Sequence, residues 1–98
     1  MAKADLDLCY LTATEALSAF RAKTLSPVDV LKAQIKRIED INPRVNAITC
    51  SYLDRALDQA RQAEGLYAKG ARTRPLEGLT CAIKDWHSVE GEITTYGS

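Results

Sequence analysis

Lys84 stands where a lysine could act as a base. It closes the run Leu79-Thr80-Cys81-Ala82-Ile83-Lys84-Asp85, which has Pro75 and Gly78 before it and Gly91 after it. A short apolar run bounded by turn residues reads as a buried strand. On a strand, neighbouring side chains point to opposite faces. Lys84 then shares a face with the small residues Ala82 and Thr80, and Asp85 turns away with Cys81 and Ile83. A free lysine has a pKa near ~10.4 and holds its proton at neutral pH. A lysine that serves as a base needs a value of about 7–8, reached by burial without a close counter-charge. A strand-end lysine more commonly snorkels to solvent. The run by itself leaves both readings open.

The other residues that could carry chemistry have less around them. His87 is the only histidine, and Asp85-Trp86-His87 has no further ligand cluster to make a metal site. Ser88 beside His87 cannot form a Ser-His-Asp arrangement, because adjacent residues do not supply the required geometry. Cys9, Cys50 and Cys81 are odd in number and widely spaced, which fits neither a disulfide framework nor zinc ligation. Cys81, inside the apolar run, reads as a small buried hydrophobe. Lys69, Arg72 and Arg74 make a basic stretch that reads as a solvated loop, and no Gly-rich phosphate loop is present.

A longer string then gives Lys84 a context. Pro75-Leu76-Glu77-Gly78-Leu79-Thr80-Cys81-Ala82-Ile83-Lys84-Asp85, Val89-Glu90-Gly91 and Thr94-Thr95-Tyr96-Gly97-Ser98 together resemble the N-terminal hallmark of the amidase signature family. The resemblance implies an amidase that hydrolyses a carboxamide to a carboxylate and ammonia or amine through a Ser–cis-Ser–Lys triad. Carried over by position, the triad lysine is Lys84. It implies no cofactor and no metal, and a small-molecule amide as substrate. It also implies that residues 1–98 are the N-terminal part of a single domain whose two serines lie beyond this sequence. The isolated chain is therefore expected to be inactive. The same motifs occur in subunits of glutamine-dependent tRNA amidotransferases, so a homodimer and amidotransferase partner subunits both remain open. This sequence departs from the family pattern at Trp86, where asparagine is usual, at Thr80, where proline is usual, and at Tyr96, where a small residue is commoner. Those departures bear on the loop and the pocket rather than on Lys84.

The elements that must position this stretch are legible upstream. Thr12-Ala13-Thr14-Glu15 has capping-box spacing and opens a helix over about 13–22, with Leu11 placed to staple onto Ala16. Ser26-Pro27-Val28-Asp29 is a second helix start, with Pro27 at the first helical position. Val28, Leu31, Ile35 and Ile38 form one stripe, widened by Ile41, and Asn42-Pro43 should end the helix. Such an amphipathic helix also suits a non-catalytic interaction module. Val45 to Cys50 leans towards a strand. Leu53, Ala56, Leu57, Ala60 and Ala63 mark a further helix that should stop near Gly70.

The expected fold class is α/β: N-terminal helices packed on the first strands of a mixed sheet, a truncated portion of the amidase signature fold. The chain has 98 residues, 46% of them apolar and 27% charged, the proportions of an ordinary small globular domain. Thirteen basic residues balance thirteen acidic ones, which argues against direct binding to nucleic acid or an anionic membrane. The absence of a signal-like start and of any spanning segment makes the cytoplasm the expected location.

Overall fold

A computed structural model describes residues 3–96. Four helices account for its regular structure: α1 (Lys3–Cys9), α2 (Ala13–Arg21), α3 (Pro27–Val45) and α4 (Leu53–Ala68). There is no strand among the described residues, so the expected mixed sheet is not there. The segments expected as strands, Val45 to Cys50 and Leu79 to Asp85, have strand-like composition but no partner backbone. A helix closes its hydrogen bonds within itself, whereas a strand exists only when a second chain segment supplies them.

The helix ends follow from local chemistry. At the start of α2, the Thr12 hydroxyl accepts the Glu15 N–H at 3.1 Å and the Glu15 carboxylate accepts the Thr12 N–H at 3.0 Å. That reciprocal pair holds the Glu15 carboxyl below the usual carboxylate range. At the start of α3, Ser26 and Asp29 repeat the arrangement, and the Ser26 hydroxyl also reaches the Glu64 carboxylate of α4. Both α2 and α4 close with a left-handed residue and paired bonds back into the last turn. Lys23 (φ 61°) gives its N–H to Phe20 while Thr24 bonds Ala19, and Gly70 (φ 66°) bonds Tyr67 while Ala71 bonds Leu66.

One helix boundary and one whole helix differ from expectation. Helix α3 runs through Pro43 to Val45 and ends on Asn46 in the left-handed region (φ 51°). Proline forfeits one hydrogen bond, and in this last, solvent-facing turn the loss is local. Asn42 then takes the Ile48 N–H and donates to the Ile48 carbonyl, both at 2.9 Å, folding the following residues back onto the helix end. Helix α1 has no counterpart among the helices expected from the sequence. Its seven residues are too few to show a period, and its place is set by packing on α3, with Asp5 paired to Lys36 at 3.2 Å.

Helix α3 is the central element, contacting α1 and α4. This is why Val30 and Ala33 are buried as well as Val28 and Leu31, although the first two lie off the expected stripe. One apolar cluster joins Ala16, Leu17 and Phe20 of α2 to Val30 and Tyr67, with Leu11, Leu25 and Leu79 against it. A second joins Val28, Leu31 and Ala60. Phe20 and Tyr67 meet as tilted rings with centroids 5.6 Å apart.

Candidate functional site

The hallmark string begins on the helical body and ends away from it. Its first residues form a turn, in which Glu77 N–H bonds the Arg74 carbonyl at 3.1 Å and Leu79 N–H bonds the Leu76 carbonyl at 3.2 Å. The buried Tyr67 hydroxyl donates to the Glu77 carbonyl at 2.7 Å. The Arg74 guanidinium grips both oxygens of the buried Glu77 carboxylate, Nε at 3.2 Å and Nη2 at 2.7 Å. This fork holds the Glu77 carboxyl below its ordinary range even though burial pushes the other way.

Gly78 is dictated twice over. Its φ of +88° is one that L side chains rarely adopt, and a Cβ there would lie 2.8 Å from Pro27 Cγ and 3.1 Å from Pro27 Cβ. Only glycine lets the backbone pass this close to the start of α3. The turn therefore delivers Leu79 to the core, where it packs against the Phe20 cluster.

Beyond Leu79 the chain leaves the body. Thr80, Cys81, Ala82, Ile83 and Lys84 are all exposed, and Ile83 keeps 57% of its surface. The expectation of a buried strand presenting Lys84, with Cys81 as a buried hydrophobe, is corrected accordingly. Lys84 makes no ion pair among the described residues.

The following loop is closed on itself. The Asp85 carboxylate accepts the Thr95 N–H at 2.9 Å through Oδ1 and the Thr95 hydroxyl through Oδ2, while the Asp85 carbonyl accepts the Tyr96 N–H at 3.1 Å. Inside that clasp, His87 N–H bonds the Lys84 carbonyl at 3.1 Å and the Thr94 hydroxyl reaches the His87 carbonyl at 3.4 Å. Trp86 and Tyr96 meet edge to face, with centroids 5.4 Å apart. Two of the positions where this sequence departs from the family pattern thus form one contact across the loop mouth. Strand alternation does not disclose the Asp85–Thr95 pair, since it treats Asp85 only as a charge turned away from Lys84. The signal for it in the sequence is the joint presence of Lys84-Asp85 and Thr94-Thr95. Gly97 and Ser98, which complete the string, lie outside the described residues.

Glu92 joins this loop to α4. Its Oε2 accepts the Tyr52 hydroxyl at 2.7 Å, and its Oε1 lies 3.4 Å from Arg55 Nη1. The Cys50 sulfur, 3.2 Å from the Tyr52 oxygen, and then the Glu92 carboxylate push the Tyr52 hydroxyl above its usual pKa. No group of three His, Cys, Asp or Glu side chains that could hold a metal occurs among the described residues. No helix there is long and apolar enough to cross a membrane.

Comparison with known proteins places this arrangement in a family. No solved structure matches. A glutamyl-tRNA(Gln) amidotransferase subunit from Carboxydothermus hydrogenoformans is 37% identical over 93 residues, covering 95% of this chain and 19% of that protein. An acylamidase from Rhodococcus erythropolis is 32% identical over 93 residues, covering 95% of this chain and 20% of that protein. The corresponding amidotransferase subunit from Moorella thermoacetica is 36% identical over 93 residues, with 95% of this chain and 19% of that protein covered. The chain thus spans about a fifth of the length of the curated relatives it matches. The family model described as Amidase matches residues 29–98, a stretch that takes in nearly all of α3, then α4, the Glu77–Gly78 turn and the clasped loop. The chain belongs to the amidase signature family.

Proposed function

We propose that this chain supplies the lysine of an amide hydrolase, with Lys84 as the terminal base of a Ser–cis-Ser–Lys triad. The observation that carries the reading is the position of Lys84-Asp85 within the family match, joined through the Asp85–Thr95 clasp to the Thr94-Thr95 part of the same string. In the whole protein, neutral Lys84 takes a proton from a bridging serine, and that serine takes one from the nucleophilic serine. The nucleophile attacks the amide carbonyl, backbone N–H donors hold the oxyanion, ammonia or amine leaves, and water releases the carboxylate. Lys84 is exposed here, so the desolvation that a lysine base needs has to come from parts of the protein outside residues 3–96. The chain by itself, lacking nucleophile and oxyanion donors, is inactive on this reading.

A second reading has its own support. The relatives from Carboxydothermus hydrogenoformans and Moorella thermoacetica are named as glutamyl-tRNA(Gln) amidotransferase subunits. On that reading the amide is glutamine, and partner subunits receive the ammonia. The assay that separates the two compares release of ammonia from a simple primary amide and from glutamine by the whole protein, alone and with partner subunits.

The test of the lysine is direct. In the whole protein, Lys84→Ala is expected to lower amide hydrolysis by roughly 10²-fold or more with the melting temperature retained. Lys84→Arg should be nearly as damaging, because guanidinium does not give up its proton near neutral pH. Full activity in Lys84→Arg would reduce the residue to a fixed positive charge and end the general-base assignment.

A further inference from the structure

The segment bearing Lys84 makes a clasped loop, and a clasp alone does not say where the loop sits on the body. Glu92 answers that. It is half-buried in a loop whose neighbours Glu90, Gly91 and Ile93 are exposed. Its two carboxylate oxygens have separate donors, the Tyr52 hydroxyl at 2.7 Å and the Arg55 guanidinium at 3.4 Å. Both donors belong to the beginning of α4, Tyr52 as its N-cap residue and Arg55 in its first turn. Tyr52 makes no side-chain cap bond to the helix, so its hydroxyl is available to the loop. Arg55 stacks over the Tyr52 ring, its guanidinium carbon 5.0 Å from the centroid, which holds the two donors side by side.

We propose that Glu92 is a positioning residue, the anchor by which Tyr52 and Arg55 hold the Lys84-bearing loop against the helical body. The connection from anchor to lysine is short. Glu92 N–H bonds the Val89 carbonyl at 3.0 Å, which makes residues 89–92 a closed turn. Three residues on, Thr95 is bonded to Asp85, the neighbour of Lys84. The chain is thus tied to the body on either side of Lys84, at Gly78 on Pro27 and at Glu92 on α4. The part Glu92 plays in turnover rests on the amidase reading of Lys84, whereas the anchoring itself does not.

The test uses the whole protein with two readouts. Hydrogen exchange followed by mass spectrometry on the peptide spanning 85–96 should quicken roughly five- to tenfold in Glu92→Ala, and by less in Tyr52→Phe, while peptides from α2 and α3 keep their rates. Glu92→Gln retains an oxygen for Tyr52 and should restore most of the protection, a rescue that simple loss of packing would not give. In the same variants kcat for a simple amide should fall about tenfold in Glu92→Ala with KM little changed, and recover in Glu92→Gln. Unchanged exchange in both Glu92→Ala and Tyr52→Phe would overturn the anchor. Loosened exchange with wild-type kcat would overturn the positioning role. A wild-type protein without amide turnover, whose loop still loosens in Glu92→Ala, would strike down the amidase reading and leave the anchor standing.

Discussion

Residues 11–79 and residues 80–96 handle apolar side chains in opposite ways. In the first region Phe20 is 1% exposed and Ala33 1%, and the hydrogen bonds of the backbone close within helices and caps. In the second, Trp86 is 61% exposed and Ile93 88%, and apart from the Glu92 carboxylate on Tyr52 and Arg55 the bonds described join one part of the loop to another. Both regions carry strongly apolar residues, so hydrophobicity alone does not decide burial. A helix arrives at packing with its backbone already satisfied, and its apolar stripe needs only a surface to meet. An extended segment must find a second backbone before its side chains can be covered. The hallmark string crosses from one regime to the other at Leu79.

The contrast can be broken or sharpened by substitution. The largest effect is expected at Phe20, whose ring fills the junction of α2, Tyr67 and Gly78. Phe20→Ala should destabilise by about 3–5 kcal/mol, most of the stability of a chain this size, and chemical denaturation would measure it. A cost below about 1 kcal/mol would mean that the helical region is not a packed core.

Gly78→Ala should cost about 1–3 kcal/mol, since a methyl group there meets Pro27 and the backbone φ is positive. A neutral result in the same denaturation experiment would mean the turn is not seated on α3.

The Arg74–Glu77 fork should make its contribution visible in acid. Glu77 is depressed in the folded state relative to an unfolded glutamate near ~4.3. Its stabilisation is therefore fully present above that value and is lost as pH falls below it, through the folded pKa. Denaturation midpoints measured from about pH 6 down to about pH 3 should fall less steeply in Glu77→Gln than in wild type. Parallel slopes would remove Glu77 from the acid response.

The smallest effect is expected in the outer region. Ile93→Ala should change the stability of this chain by no more than about 0.5 kcal/mol, as at other exposed positions. A loss of several kcal/mol would mean that Ile93 is covered, and the contrast between the two regions would fail.

What the sequence determined by itself is mostly helical and local. Thr12 with Glu15, Ser26 with Pro27 and Asp29, and Gly70 announce helix ends because capping chemistry acts within four residues of chain. The stripe of α4 is legible for the same reason, and so is the family, because Lys84-Asp85 and Thr94-Thr95 are read as types and spacings. Only the tertiary structure decided the rest. It placed α1 on α3, carried α3 past Pro43, and buried Val30 and Ala33 off the stripe, because α3 is covered from more than one side. It joined Asp85 to Thr95 across ten residues and Glu92 to Tyr52 across forty. It also left Leu79 to Asp85 without a sheet, although the composition is that of a strand. Strand formation depends on a partner backbone, and no property of those seven residues says whether one is present.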